Sequence, residues 1–101
     1  MKTKLLIAVI ATTLSNTVLA VTLIGSRNCD DWIKERTVVD EAWLVGFLSG
    51  INVTGVTNNA LNKIQSASQI HLWMDNYCKA NPLHTVSKGA YQLFDELMAK
   101  K

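Results

Sequence analysis

The residue pair best suited to proton transfer is His71 with Asp75, four positions apart in a predicted helix. Side chains at i and i+4 share one helix face, so this pair could move a proton or supply half of a metal site. Both residues fall outside the apolar stripe of that helix, and His84 is the only other histidine. We therefore interpret the pair as a solvated surface contact.

Other motifs that resemble catalytic ones have the wrong spacing. The segment Gly46–Gly50 places its serine one position too late for a Gly-x-Ser-x-Gly nucleophile turn, and no predicted strand precedes it. Asp30 with Asp31 and Asp95 with Glu96 are sequence neighbours, so their carboxylates point apart on a helix and do not suit glycoside hydrolysis. The sequence predicts a protein that is not an enzyme, with no catalytic residue, no metal and no cofactor.

The first 20 residues have the pattern of a secretory signal peptide. Lys2 and Lys4 precede an apolar run from Leu5 to Leu14, and Val18-Leu19-Ala20 has the small or branched residues of a cleavage site. The apolar run is short for a membrane span. We expect export to the periplasm or beyond, with no stable membrane anchor after cleavage. An uncleaved N-terminal anchor is the alternative interpretation.

Removal of residues 1–20 leaves 81 of the 101 residues, enough for a single domain, 21–101. Lys2 and Lys4 account for two of the ten Lys and Arg residues, so the remaining eight balance the eight Asp and Glu residues. A neutral domain lacks the basic patch that nucleic-acid binding requires. We expect protein partners and no nucleic acid.

Two cysteines in a small exported domain favour a disulfide. Cys29 and Cys78 are 49 positions apart, and neither belongs to a Cys-x-x-Cys motif that would indicate zinc. Closing a loop of about 50 residues would stabilise the fold by about 4 kcal/mol. The pair is therefore predicted to be the covalent staple of the domain.

Apolar residues recur with helical period in four segments. The first helix is predicted from Cys29 to about Arg36, and the second follows a cap at Asp40. A connection over residues 52–66, with a short helical turn near Ala60, leads to a third helix that opens on a Ser66 and Gln69 capping box. The core residues predicted on these helices and the last one include Trp32, Trp43, Phe47, Trp73, Tyr77, Leu93 and Phe94.

The last helix is predicted to start at Asn81-Pro82, with asparagine as cap and proline as first helical residue. Gly46 and Gly50, four positions apart on the second helix, are predicted to allow close packing of another helix. The fold class is therefore all-α, a small orthogonal bundle of about four helices stapled by Cys29 and Cys78.

Three segments resemble landmarks of the small periplasmic HdeA-like proteins. These are Cys29-Asp-Asp-Trp, Trp43-Leu-Val-Gly-Phe-Leu-Ser-Gly and Trp73-Met-Asp-Asn-Tyr-Cys-Lys-Ala-Asn-Pro-Leu. The resemblance covers most of residues 21–101. It implies an all-helical exported domain with one long-range disulfide. The chain also resembles the amidase-immunity proteins of type VI secretion.

The HdeA resemblance implies an acid-stress chaperone that is dimeric when folded, loses order at low pH and holds unfolded clients. A homodimer is accordingly one candidate assembly. The second resemblance implies an immunity protein that inhibits a peptidoglycan amidase, with residues 52–66 as the inhibitory loop. Unfolded clients or a specific toxin are the partners expected under these two hypotheses.

Overall fold

A computed structural model describes residues 22–54 and 58–100. This part of the chain contains no strand, only an isolated bridge between Asn28 and Thr85. Its helices are α1 (Cys29–Glu35), α2 (Val38–Val53), a short 3-10 helix (Ala60–Lys63), α3 (Ala67–Ala80) and α4 (Val86–Ala99). The all-α, four-helix prediction is confirmed, and so is the helical turn at Ala60. The predicted signal peptide lies outside the described residues.

A disulfide joins Cys29, at the start of α1, to Cys78 near the end of α3. The two Cα atoms are 4.8 Å apart and neither residue is exposed to solvent. Two backbone hydrogen bonds reinforce this junction: Cys29 N–H donates to His84 O, and Val86 N–H donates to Arg27 O, each at 2.9 Å. The predicted staple is confirmed, and it also fixes the segment between α3 and α4.

One hydrophobic cluster contains the buried side chains of all four α-helices. Four of the predicted core residues, Trp32, Tyr77, Leu93 and Phe94, are buried in it. The other three, Trp43, Phe47 and Trp73, are only partly buried and pack against its edge. Each of these two tryptophans keeps its indole N–H near the surface, where it donates to the carbonyl of Ile24 (2.7 Å) or to Glu96 (2.8 Å).

The caps of α2 and α3 differ from the prediction. Thr37, not Asp40, is the N-cap of α2: Thr37 Oγ1 accepts from the Asp40 N–H, and Asp40 Oδ2 accepts from the Thr37 N–H. Ser66 does cap α3 by position, but its side chain makes no capping hydrogen bond. Gln69 Oε1 accepts from the N–H of Gln65 instead, so the predicted capping box is wrong.

The start of the last helix is also later than predicted. Helix α4 begins at Val86 with Thr85 as its N-cap, whereas Asn81 and Pro82 end α3 and form a turn. Leu83 is therefore 96% exposed and does not belong to the core. The physical reason is that this segment forms backbone hydrogen bonds with Arg27 and Cys29, which hold it extended rather than helical.

The prediction of close packing at Gly46 and Gly50 is wrong for the described residues. A Cβ atom added at either position would meet nothing within 4 Å. The close approach occurs instead at Gly89 on α4, where a Cβ would lie 2.7 Å from Tyr77 Cδ2 and 2.8 Å from Met74 Sδ. Helices α3 and α4 therefore pack closely through Gly89, a single glycine that has no periodic signal in the sequence.

The different surroundings of Gly46 and Gly89 predict opposite effects for a glycine-to-alanine substitution at the two positions. Gly46→Ala removes the glycine penalty of a helix interior without a clash, so we expect the free energy of unfolding to rise by up to about 1 kcal/mol. Gly89→Ala forces Met74 and Tyr77 to move, so we expect a decrease of about 1–3 kcal/mol. Urea denaturation of both variants measures the difference. Equal effects at the two positions would show that the α3–α4 contact is wrongly described.

Loss of the disulfide should remove a large part of the stability. We expect Cys78→Ser to lower the free energy of unfolding by about 4 kcal/mol, because the loop it closes no longer restricts the unfolded chain. Reduction of the unaltered protein with dithiothreitol is the matched control and should produce the same loss. An unchanged denaturation midpoint in both experiments would contradict the role assigned to this bond.

Candidate protein-binding surface

Helix α2 turns its charged side chains toward the rest of the fold. Asp40 is buried, and its Oδ1 atom accepts from Arg27 Nε at 3.0 Å. Glu41 pairs with Arg36, with 3.1 Å between Glu41 Oε2 and Arg36 Nε. Both partners belong to segments that flank α1, so these ion pairs fix the start of α2 against the N-terminal part of the domain.

The opposite side of α2 carries no charge. Between Glu41 and Lys63 the chain contains no Asp, Glu, Lys or Arg. Valines at both ends of this side are largely exposed, with Val38 at 79%, Val39 at 76% and Val53 at 81%. We call it the outer face of α2, defined by the exposed residues Val38, Val39, Ala42, Gly46, Ser49, Gly50 and Val53.

The composition of the outer face is unfavourable for a helix that meets only water. Each glycine in a helix interior costs about 1 kcal/mol relative to alanine, and neither Gly46 nor Gly50 makes a close contact within the described fold. A contiguous exposed apolar surface typically marks an interaction site. The outer face therefore has the shape and chemistry to accept an apolar surface at short distance.

An aromatic group supports one edge of this face. The rings of Trp43 and Phe47 stack with centroids 4.9 Å apart, and Phe47 meets the ring of Tyr91 edge-on at 5.4 Å. Gly25, at φ +90°, lies against the indole of Trp43, where a Cβ would come within 2.7 Å of it. This packing holds α2 on α4 and fixes the orientation of the outer face.

His71 and Asp75 do not form the solvated pair that the sequence predicts. Asp75 Oδ1 accepts from Trp32 Nε1 at 2.9 Å and forms an ion pair with Arg36, whose guanidinium lies 4.9 Å from the Trp32 ring. His71 Nδ1 lies 3.8 Å from Glu41 Oε2. Both residues are partly buried. They contact charged groups of α2 and of the segment that ends α1, so the network joins three helices.

Two of the acidic residues highlighted in the sequence, Asp30 and Glu96, have structural partners. Asp30 pairs with Lys34 one turn later, and Glu96 accepts from Trp73. Across residues 22–54 and 58–100, no group of three or more His, Cys, Asp or Glu side chains could hold a metal ion. Within the same ranges, no helix has the length and hydrophobicity needed to cross a membrane.

Comparison with known proteins identifies no relative of this chain. No family model matches the chain, and no curated protein and no solved structure is significantly similar to it.

Asp40 makes the attachment of α2 sensitive to acid. Burial by itself raises the pKa of the Asp40 carboxyl, but hydrogen bonds from the Thr37 N–H, Arg27 and the Thr37 hydroxyl outweigh it. The pKa of Asp40 is therefore lower in the folded state than its ordinary value. Because the folded pKa is the lower one, this carboxylate stabilises the fold above about pH 4, and the contribution is lost as pH falls below that.

A substitution at this position should change the acid dependence of stability. We expect Asp40→Asn to lower the free energy of unfolding by about 1–2 kcal/mol at pH 7, since it weakens the capping box and the ion pair with Arg27. The difference from the unaltered protein should shrink as pH falls below about 4. Asp95→Asn, at an exposed position of α4, is the control with the same change in charge. A pH-independent difference would contradict the pKa argument.

Proposed function

We propose that this chain is an exported, non-enzymatic protein-binding domain that uses the outer face of α2 as its contact surface. The observation that carries the proposal is the exposure of Val38, Val39 and Val53 on a helix side without charge. Export is supported by the signal-peptide pattern of residues 1–20, and the buried disulfide suits an oxidising compartment such as the periplasm.

A chaperone role of the HdeA type is the form of this function that we favour. Three carboxylates hold α2 and α3 to the α1 region: Asp40 pairs with Arg27, while Glu41 and Asp75 both pair with Arg36. In strong acid the Asp40 carboxylate becomes protonated, which removes its pair with Arg27 and leaves the arginine charged. The disulfide still joins α1 to α3, so the domain can loosen and expose apolar surface while its chain remains cross-linked.

The connection after α2 favours a second candidate, inhibition of a specific toxin such as a peptidoglycan amidase. The Asn52 side chain donates to Asn59 Oδ1 at 2.9 Å and accepts from the Leu61 N–H at 3.2 Å. Asn58 and Asn59 are exposed, and both adopt left-handed backbone conformations. These contacts order the described part of the connection, and a pre-organised loop suits insertion into one particular cleft. Residues 55–57 lie outside the described residues.

Suppression of client aggregation tests the proposal directly. At pH 2–3 the chain should hold an unrelated acid-denatured protein in solution, and Val39→Lys should weaken this activity because it places a charge in the apolar contact. Loss of one buried valine contact is worth about 1.5–3 kcal/mol, so we expect at least about a tenfold increase in the concentration required. Light scattering after neutralisation measures the aggregated fraction.

Gln92→Lys, which adds the same charge to an exposed position of α4, should retain the activity. Equal loss in the two variants would contradict the assignment of the outer face. If the unaltered chain holds no client at pH 2–3 but forms a tight stoichiometric complex with the product of a neighbouring gene, inhibition of a toxin replaces the chaperone role. Residues 52–66 should then carry the affinity.

A further inference from the structure

We propose that a cleft between the 3-10 helix, α3 and the end of α4 binds a free apolar α-amino acid. The cleft has a volume of about 220 Å³ and shares no residue with the outer face of α2, so this ligand site is separate from the proposed protein-binding surface. Its lining combines apolar side chains with charges of opposite sign that do not pair with each other.

Lys63 supplies a positive charge that the fold holds in place. Its ammonium donates to Leu97 O at 2.5 Å and to Lys100 O at 2.7 Å, which are carbonyls at the end of α4. An ammonium has three N–H donors, so one of them is left for a ligand. Within residues 22–54 and 58–100, no carboxylate forms an ion pair with Lys63.

Glu96 supplies the negative charge. Its Oε2 atom accepts from Trp73 Nε1 at 2.8 Å, which orients the carboxylate, and no residue of the described part of the chain donates to Oε1. Lys100 follows Glu96 at i+4, the spacing that favours an ion pair on a helix. The two side chains nevertheless form no such pair in the described structure, and both line the cleft.

Charges of both signs at one cleft match the chemistry of a zwitterion. An α-amino acid carries its ammonium and its carboxylate on the same carbon atom. The ammonium would donate to Glu96 Oε1, and the carboxylate would accept from Lys63 and Lys100. These are charge-assisted hydrogen bonds, which are stronger than bonds between neutral groups. A ligand with only one of the two charges would satisfy only one side of this arrangement.

The apolar part of the lining predicts an apolar ligand side chain. Leu93 and Leu97 form buried parts of the cleft, and Ile64 and Trp73 are partly buried beside them. The Trp73 ring is held by stacking on Tyr77, with centroids 5.3 Å apart. Clefts for drug-sized ligands have about 300–1,000 Å³, so this smaller one suits a ligand of about one amino-acid residue. Leucine is therefore a suitable probe.

Titration with leucine, followed by nuclear magnetic resonance of the ¹⁵N-labelled chain at neutral pH, tests the site. A ligand this small makes few contacts, so we expect a dissociation constant of about 1 mM. The chemical-shift changes should concentrate at the Trp73 indole N–H and at the backbone amides of Lys63, Glu96 and Leu97.

Two analogues of leucine test the requirement for both charges without any change to the protein. Leucine methyl ester keeps the ammonium and lacks the carboxylate, whereas 4-methylpentanoate keeps the carboxylate and lacks the ammonium. Each analogue loses a charge-assisted hydrogen bond, so we expect each to bind at least about tenfold more weakly than leucine.

Glu96→Gln tests the residue assigned to the ammonium. The amide oxygen can still accept from Trp73, so we expect the fold to be retained, which circular dichroism checks. Leucine should bind at least about tenfold more weakly to this variant, and its preference over 4-methylpentanoate should disappear. Asp95→Asn removes the same charge at an exposed position outside the cleft, and this control should bind leucine like the unaltered chain.

Equal binding of leucine and the two analogues would overturn the inference, because it would show apolar contact without recognition of charge. Shift changes that spare Trp73 and Glu96 would also overturn it, as would the absence of any change at 20 mM leucine, about twentyfold above the expected dissociation constant. Glucose is the further control. Changes at the cleft with glucose but not with leucine would exclude an amino acid and indicate a hydroxyl-rich ligand instead.

Discussion

The disulfide between Cys29 and Cys78 is the constraint on which the rest of the structure depends. Helix α1 has only seven residues, too few to be stable by itself. The disulfide fixes it to α3, and two backbone hydrogen bonds fix the segment before it to the α3–α4 junction. With α1 in place, Trp32 and Arg36 reach Asp75, and Arg36 also reaches Glu41 on α2. The position of α2 therefore depends on the Cys29–Cys78 disulfide, although α2 contains neither cysteine.

Helix α2 is unusual because its carboxylates lie on the inner side and its outer side is uncharged. A surface helix normally directs charge to solvent and apolar residues to the core. Here Leu44 and Leu48 are buried as expected, but valines at both ends of the helix remain largely exposed. A helix whose exposed side is also largely apolar is typically buried by a further surface. This placement of carboxylates toward the fold and valines toward solvent connects the packing of the domain to its proposed binding function.

The sequence predicted those features that leave a repeated or paired signal. The helical stripes, the short turn at Ala60 and the pairing of the only two cysteines are such features, and the structure contains all of them. The sequence also identified Gly46 and Gly50, but it could not determine whether another segment of the chain packs against them, because that depends on the placement of distant segments. Gly89 was missed because a single glycine has no period.

Contacts between distant segments account for two further errors, at Asp75 and at the start of α4. Asp75 lies 39 positions from Arg36, so a pattern confined to its own helix showed only His71 beside it. The late start of α4 has a similar origin, since Asn81-Pro82 is a good local helix start. Tertiary hydrogen bonds between the α3–α4 junction and the segment that begins α1 override that local preference.

A map of backbone amide chemical-shift changes by nuclear magnetic resonance tests most directly whether the outer face of α2 is the contact surface. Spectra would be recorded at neutral pH as a soluble apolar peptide is added. If the outer face of α2 is the contact surface, the changes will concentrate at Val39, Ala42, Gly46, Gly50 and Val53 and spare the exposed side of α4. Changes centred on α1, α3 or the Leu83 turn, with α2 unaffected, would contradict the account.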